Sequence, residues 1–169
     1  MNKYVTLFFI LIVTCTSSCC QEEIKNNSSK KEFNILFIGN SLTYTNNLPE
    51  LVKKKAELQG IKIDTKMEAF PNYAIIDHWN DGEIQKLISS NKYDFVIIQQ
   101  GSSSQNNGRE ILIEYGEKFS DLCKLNNTKL CYFMVWPSLS NYHTFEGVIT
   151  NYTDAASINN SILLPVGKV

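Results

Sequence analysis

Arginine is nearly absent from this chain of 169 residues: among 16 cationic side chains only Arg109 is not a lysine. A site built on planar guanidinium forks is therefore not expected, because lysine offers a point charge on a flexible stem. A positive surplus is missing too, since 17 acidic side chains leave a formal net charge of −1. A protein that tracks phosphates needs a clustered cationic excess, so no nucleic-acid partner is expected. Neither G-x-G-x-x-G nor G-x-x-x-x-G-K-[ST] occurs, which removes the common nucleotide-binding turns. There is no C-x-x-C pair and no His/Cys cluster, so no metal and no other cofactor is expected. What the chain does hold is 43% apolar and 11% aromatic residues, enough for a core and too much for a disordered polymer. The length suits one domain.

The longest apolar run, Tyr4 to Val13, follows Lys3 and spans only about 15 Å as a helix, roughly half a bilayer core. It reads as the apolar part of an export signal and not as a membrane anchor. Thr16, Ser17 and Ser18 precede Cys19 in the manner of a bacterial lipobox. Residues 1–18 are thus expected to be a lipoprotein-type signal peptide, with Cys19 lipidated as the new N-terminus; plain secretion with cleavage nearby is the alternative. Residues 19–32 are polar and read as a tether. The expected location is outside the cytoplasm, periplasmic or at the cell surface, with the lipid as the sole membrane contact. Only Cys123 and Cys131 lie in the body, where a disulfide and two buried free thiols both remain open.

From Phe33 onward the chain alternates strand and helix. Phe33–Ile38 is a short apolar run stopping at Gly39, and Leu48–Gln59 carries an amphipathic pattern with Pro49 near its start and Gly60 at its end. Strands are expected again at Ile61–Ala69, Tyr93–Gln99 and Leu130–Trp136, and helices at Asp77–Ser89, Arg109–Leu125 and about Thr144–Asn160. Three of the strands are apolar on both faces, which implies a parallel sheet covered on both sides. Right-handed crossovers then make residues 33–169 a three-layer α/β/α domain of flavodoxin-like type. Ligands bind beyond the carboxyl ends of such strands, so the loops Gly39–Asn47, Phe70–Ile75, Gln99–Asn107 and Pro137–His143 are the places to look.

The first loop reads Gly39-Asn40-Ser41-Leu42. Alone, this pattern also fits an ordinary turn with a serine cap. Read with the loops that follow, it resembles the Gly-Asp-Ser-Leu block of the SGNH (GDSL-type) hydrolases, with Asn40 in place of the acid. The resemblance implies a three-layer α/β esterase in which Ser41 matches the catalytic nucleophile and its own N–H is one oxyanion donor. Asn72 falls where the family usually has a glycine whose N–H is the second donor; asparagine is the non-glycine residue most tolerant of positive φ. Gln100, in Gln99-Gln100-Gly101-Ser102-Ser103, is assigned as the side-chain donor. Ser103 is its rival by alignment on Gly101, but an amide N–H is always a donor whereas a hydroxyl must rotate. The strings Ile75-Ile76-Asp77-His78-Trp79 and Met134-Val135-Trp136-Pro137-Ser138 resemble a subgroup of exported bacterial lipoproteins, with His78 in a structural role at a helix start.

A serine hydroxyl needs an imidazole to take its proton. In the family that base lies in an Asp-x-x-His element near the C-terminus, which is not found before Val169. His143 follows the fourth strand on the correct face, yet Asn141, Tyr142 and Thr144 include no carboxylate to orient it. The resemblance therefore implies a C-terminally truncated member, its last strand and helix missing, with impaired activity and an unpaired sheet edge. Two functions follow. One is an exported serine esterase acting on small-molecule or carbohydrate esters, O-acetyl groups included. The other is a non-catalytic surface lipoprotein that binds glycans, with Tyr44, Tyr73, Trp136 and Tyr142 as stacking surfaces.

Overall fold

The computed structural model describes residues 32–90 and 92–168; the expected export signal, Cys19 and nearly all of the expected tether lie outside them. The apolar runs become β1 (Glu32–Gly39), β3 (Phe95–Ile98) and β4 (Lys129–Phe133), joined by β2 (Lys62–Ala69) and β5 (Ile162–Leu164). All neighbours are parallel, in the order β2-β1-β3-β4-β5. This is the flavodoxin-like arrangement, in which β1 and β3 part in opposite directions to open a crevice at their carboxyl ends.

The fifth strand corrects the expectation that the last strand is missing. Its three residues pair with β4 from Cys131↔Ile162 to Phe133↔Leu164, and Met134 N–H donates to the Leu164 carbonyl at 3.0 Å just beyond. The helices are α1 (Ser41–Tyr44), α2 (Leu48–Glu57), α3 (Ile75–Asp81), α4 (Glu83–Ser89), α5 (Asn106–Leu125) and α6 (Phe145–Ile158). The single helix expected over Asp77–Ser89 is two, because Gly82 takes φ +79° between them, a conformation that ends a helix and costs glycine nothing.

Strand alternation sorts the core. Tyr132 points toward α5, where its hydroxyl donates to the Leu112 carbonyl at 3.0 Å and accepts from Asn159 Nδ2 at 2.6 Å. Gly116 lets the helix come this close, since a Cβ there would collide with the Tyr132 hydroxyl. Cys131, next along β4, must point to the opposite face, away from Cys123 of α5. Both thiols are accordingly free and buried. β2 is different in kind: Ile63 is buried, while Lys62, Asp64 and Lys66 are exposed on the other side of the strand, as befits a sheet margin.

Candidate active site

Three of the four inspected loops are fastened to one another. β1 ends at Gly39, and Asn40 (φ −131°, ψ −150°) turns the chain into α1 by accepting the Leu42 N–H on its Oδ1 at 3.1 Å. The other end of that side chain, Nδ2, donates to the Tyr73 carbonyl at 2.9 Å and so ties the first loop to the second. An ionised aspartate has no hydrogen to give that carbonyl, which accounts physically for asparagine at this position. Ser41 follows, exposed, as the first residue of a one-turn helix.

The second loop returns to the same strand end. The Gly39 carbonyl accepts from the Phe70 N–H at 3.2 Å and from His78 Nε2 at 2.8 Å. Because a carbonyl can only accept, Nε2 carries the hydrogen. His78 is buried, with the rings of Phe70 and Tyr73 centred 5.8 and 5.0 Å away, and burial pulls its pKa below 6.5. It is a neutral donor within α3, the structural role expected of it. Asn72 sits at φ +62°, the left-handed conformation its residue type tolerates. The backbone N–H groups of Ser41 and Asn72 have no acceptor among the described residues, and both residues are exposed.

The third loop requires a correction. Gln100 is buried, and its Nε2 donates to Ser103 Oγ at 2.8 Å and toward the Gly108 carbonyl at 3.3 Å. One amide hydrogen is engaged within the loop and the other at the start of α5, so Gln100 has none left to offer an oxyanion. Its Oε1 is buried without a partner. Its backbone is held as well, the Tyr152 hydroxyl of α6 donating to the Gln100 carbonyl at 2.7 Å. The rival, Ser103, turns its hydroxyl to the Gly101 carbonyl at 3.1 Å. The residue that reaches the first loop is instead Gln99, whose Oε1 accepts from the Asn40 N–H and from Thr43 Oγ1, each at 2.9 Å. The cause lies in the strand register and not in the residues themselves: Ile38 pairs with Ile98, which sets Gln99 beside Gly39, where a carboxamide has room.

The fourth loop stands apart. Trp136 and Tyr142, 47% and 61% exposed, line a groove of about 700 Å³ together with Pro137, Leu139 and Phe145. Tyr73, by contrast, is half-buried between Phe70 and His78. His143 is exposed in the 3₁₀ segment Leu139–Thr144. Among the described residues neither imidazole is hydrogen-bonded to Ser41, and no group of three His, Cys, Asp or Glu side chains is placed to hold a metal.

No model of a known protein family matches the sequence, and no curated protein matches it. Solved structures do. A Slackia heliotrinireducens protein provisionally assigned to the SGNH hydrolases superposes with TM-score 0.64 at 20% identity, over 78% of each chain. A lipase/acylhydrolase from Enterococcus faecalis gives 0.60 at 15%, over 80% of this chain and 77% of that one. A variant of a Geobacillus acetyl-xylooligosaccharide esterase gives 0.50 at 15%, over 78% and 75%. At these identities the likeness is one of architecture: this chain has the three-layer α/β fold of these solved structures.

Proposed function

We propose that this protein is a serine esterase of SGNH type, with Ser41 as nucleophile. What supports the reading is the exposed Ser41 at the end of β1, on a turn fastened to both neighbouring loops, together with the N–H groups of Ser41 and Asn72, which have no acceptor among the described residues. Ser41 Oγ attacks the acyl carbon, and the N–H groups of Ser41 and Asn72 stabilise the charge that develops on the carbonyl oxygen. The C–O bond to the alcohol breaks, the alcohol leaves with the serine proton, and water then releases the acid and restores Ser41. With no imidazole bonded to Ser41 among the described residues, turnover is expected to be orders of magnitude below that of a paired serine. The acetyl-xylooligosaccharide esterase among the structural neighbours supports O-acetylated carbohydrate as the substrate class. Export and lipidation at Cys19 rest on the sequence pattern of residues 1–20.

The test is incubation with a fluorophosphonate probe and p-nitrophenyl acetate, with the labelled peptide mapped by mass spectrometry. Labelling is expected at Ser41 and lost in Ser41→Ala; labelling that persists in that variant removes Ser41 from the chemistry. A second reading, glycan binding without turnover, is favoured by the joint exposure of Trp136 and Tyr142 on one groove. Binding of acetylated oligosaccharide that is unchanged in Ser41→Ala but lost in Trp136→Ala selects it.

A further inference from the structure

We propose that Gln99 is the positioning residue of the Ser41 turn: its buried carboxamide oxygen fixes the turn from both sides of the serine and so sets the direction of Ser41 Oγ. The inference rests on the esterase reading for its catalytic meaning but not for its geometry. Gln99 is 1% exposed, and both lone-pair positions of Oε1 are filled from one four-residue segment, by the N–H of Asn40 just before Ser41 and by the hydroxyl of Thr43 just after it. Thr43 is itself 2% exposed, so its hydroxyl has no solvent to fall back on. Nε2 donates to the Gln100 carbonyl at 2.7 Å, which keeps the oxygen facing the turn. Gly39 completes the arrangement: a Cβ there would stand 2.5 Å from Gln99 Oε1 and collide with Thr43 Oγ1. A buried amide that only needed partners could have taken them from residues nearby in sequence, as Gln100 does. Gln99 reaches across 59 and 56 residues of sequence to the serine's two flanks.

The requirement is for an acceptor of two hydrogens, which predicts how substitutions divide. Gln99→Leu keeps the bulk and removes the acceptor. Gln99→Glu keeps the acceptor, and burial favours a protonated carboxyl whose O–H can donate to the Gln100 carbonyl in place of Nε2. Two readouts are taken well below each variant's melting temperature: hydrogen exchange at the Asn40 amide, and the rate of fluorophosphonate labelling at Ser41. In Gln99→Leu the Asn40 N–H and the Thr43 hydroxyl both lose their acceptor, which is expected to speed exchange and slow labelling by at least about tenfold each. Gln99→Glu should return both to within about threefold of wild type. If Gln99→Leu does not fold, Thr43→Val removes one of the two donors and is expected to slow labelling by about threefold. Exchange at Asn40 unchanged in the leucine variant, or labelling equally slow in the leucine and glutamate variants, overturns the proposal. A wild type that is never labelled overturns the esterase reading alone, since the exchange measurement still decides the role of Gln99.

Discussion

His78 Nε2 lies 2.8 Å from the carbonyl oxygen of Gly39, so an imidazole buried on α3 holds the last peptide of β1, two residues ahead of Ser41. The bond requires a hydrogen on Nε2. The burial that surrounds it disfavours a second proton on the ring.

That cost of protonation sets a pH dependence. Burial lowers the folded pKa below 6.5, so the unfolded chain takes up the proton first as the solution is acidified. The contribution of His78 to stability is full above pH 6.5 and is lost as pH falls from there through the lower folded value. Urea unfolding from pH 7.5 to 5 should show it, with a slope of up to about 1.4 kcal/mol per pH unit from this one group. His78→Gln can still donate to Gly39 and should flatten that part of the profile; identical slopes in the two proteins would refute the assignment.

Asn72 gives a test of backbone presentation. At φ +62° an ordinary side chain costs about 1–2 kcal/mol. Asn72→Gly should leave stability within about 0.5 kcal/mol of wild type and probe labelling at Ser41 within about threefold. Asn72→Val should lower stability by about 1–2 kcal/mol and slow labelling more than tenfold, because the N–H turns with the backbone. Equal labelling in the two variants would take Asn72 out of the oxyanion site.

Gly116 carries a packing prediction. Gly116→Ala drives a methyl group into the Tyr132 hydroxyl and should destabilise the protein by about 2–3 kcal/mol. Adding Tyr132→Phe removes the colliding oxygen, although it also breaks the bonds to Leu112 and Asn159. The double variant should therefore be less unstable than the two single effects summed, as thermal or urea unfolding will read.

The two thiols are predicted to be inert. Burial raises Cys123 to about 12 and Cys131 to about 11, so little thiolate exists at neutral pH. Peptides containing either residue should stay unmodified by iodoacetamide until denaturant is added, and a reductant should leave the melting temperature unchanged. A shift on reduction would mean that the two are bridged.

How much of this could be read in the residues depends on how local the cause is. β1, β3 and β4 declare themselves because sheet burial on both faces demands uninterrupted apolar side chains, as in Phe95-Val96-Ile97-Ile98. β5 does not, because Ile162–Leu164 is a strand only through its pairing with Cys131–Phe133 of β4, far back in the sequence. The left-handed backbone at Asn72 was legible through the tolerance of asparagine for it, a property of the residue itself. The choice between Gln99 and Gln100 was not. Both are buried carboxamides, and what separates them is the face of β3 from which each leaves and the glycine that stands beside one of them.

The alternation of charge along β2 bears on how this protein can self-assemble. A fibril that stacks identical strands in register would set Lys62 on Lys62, Asp64 on Asp64, Lys66 on Lys66 and Glu68 on Glu68 at every layer. At a layer spacing of about 4.8 Å each such pair repels by about 0.9 kcal/mol in water. Two strands meeting head to tail would bring Lys62 opposite Glu68 and Asp64 opposite Lys66, and attract. This margin of the sheet thus admits a closed pair of copies and opposes an endless column.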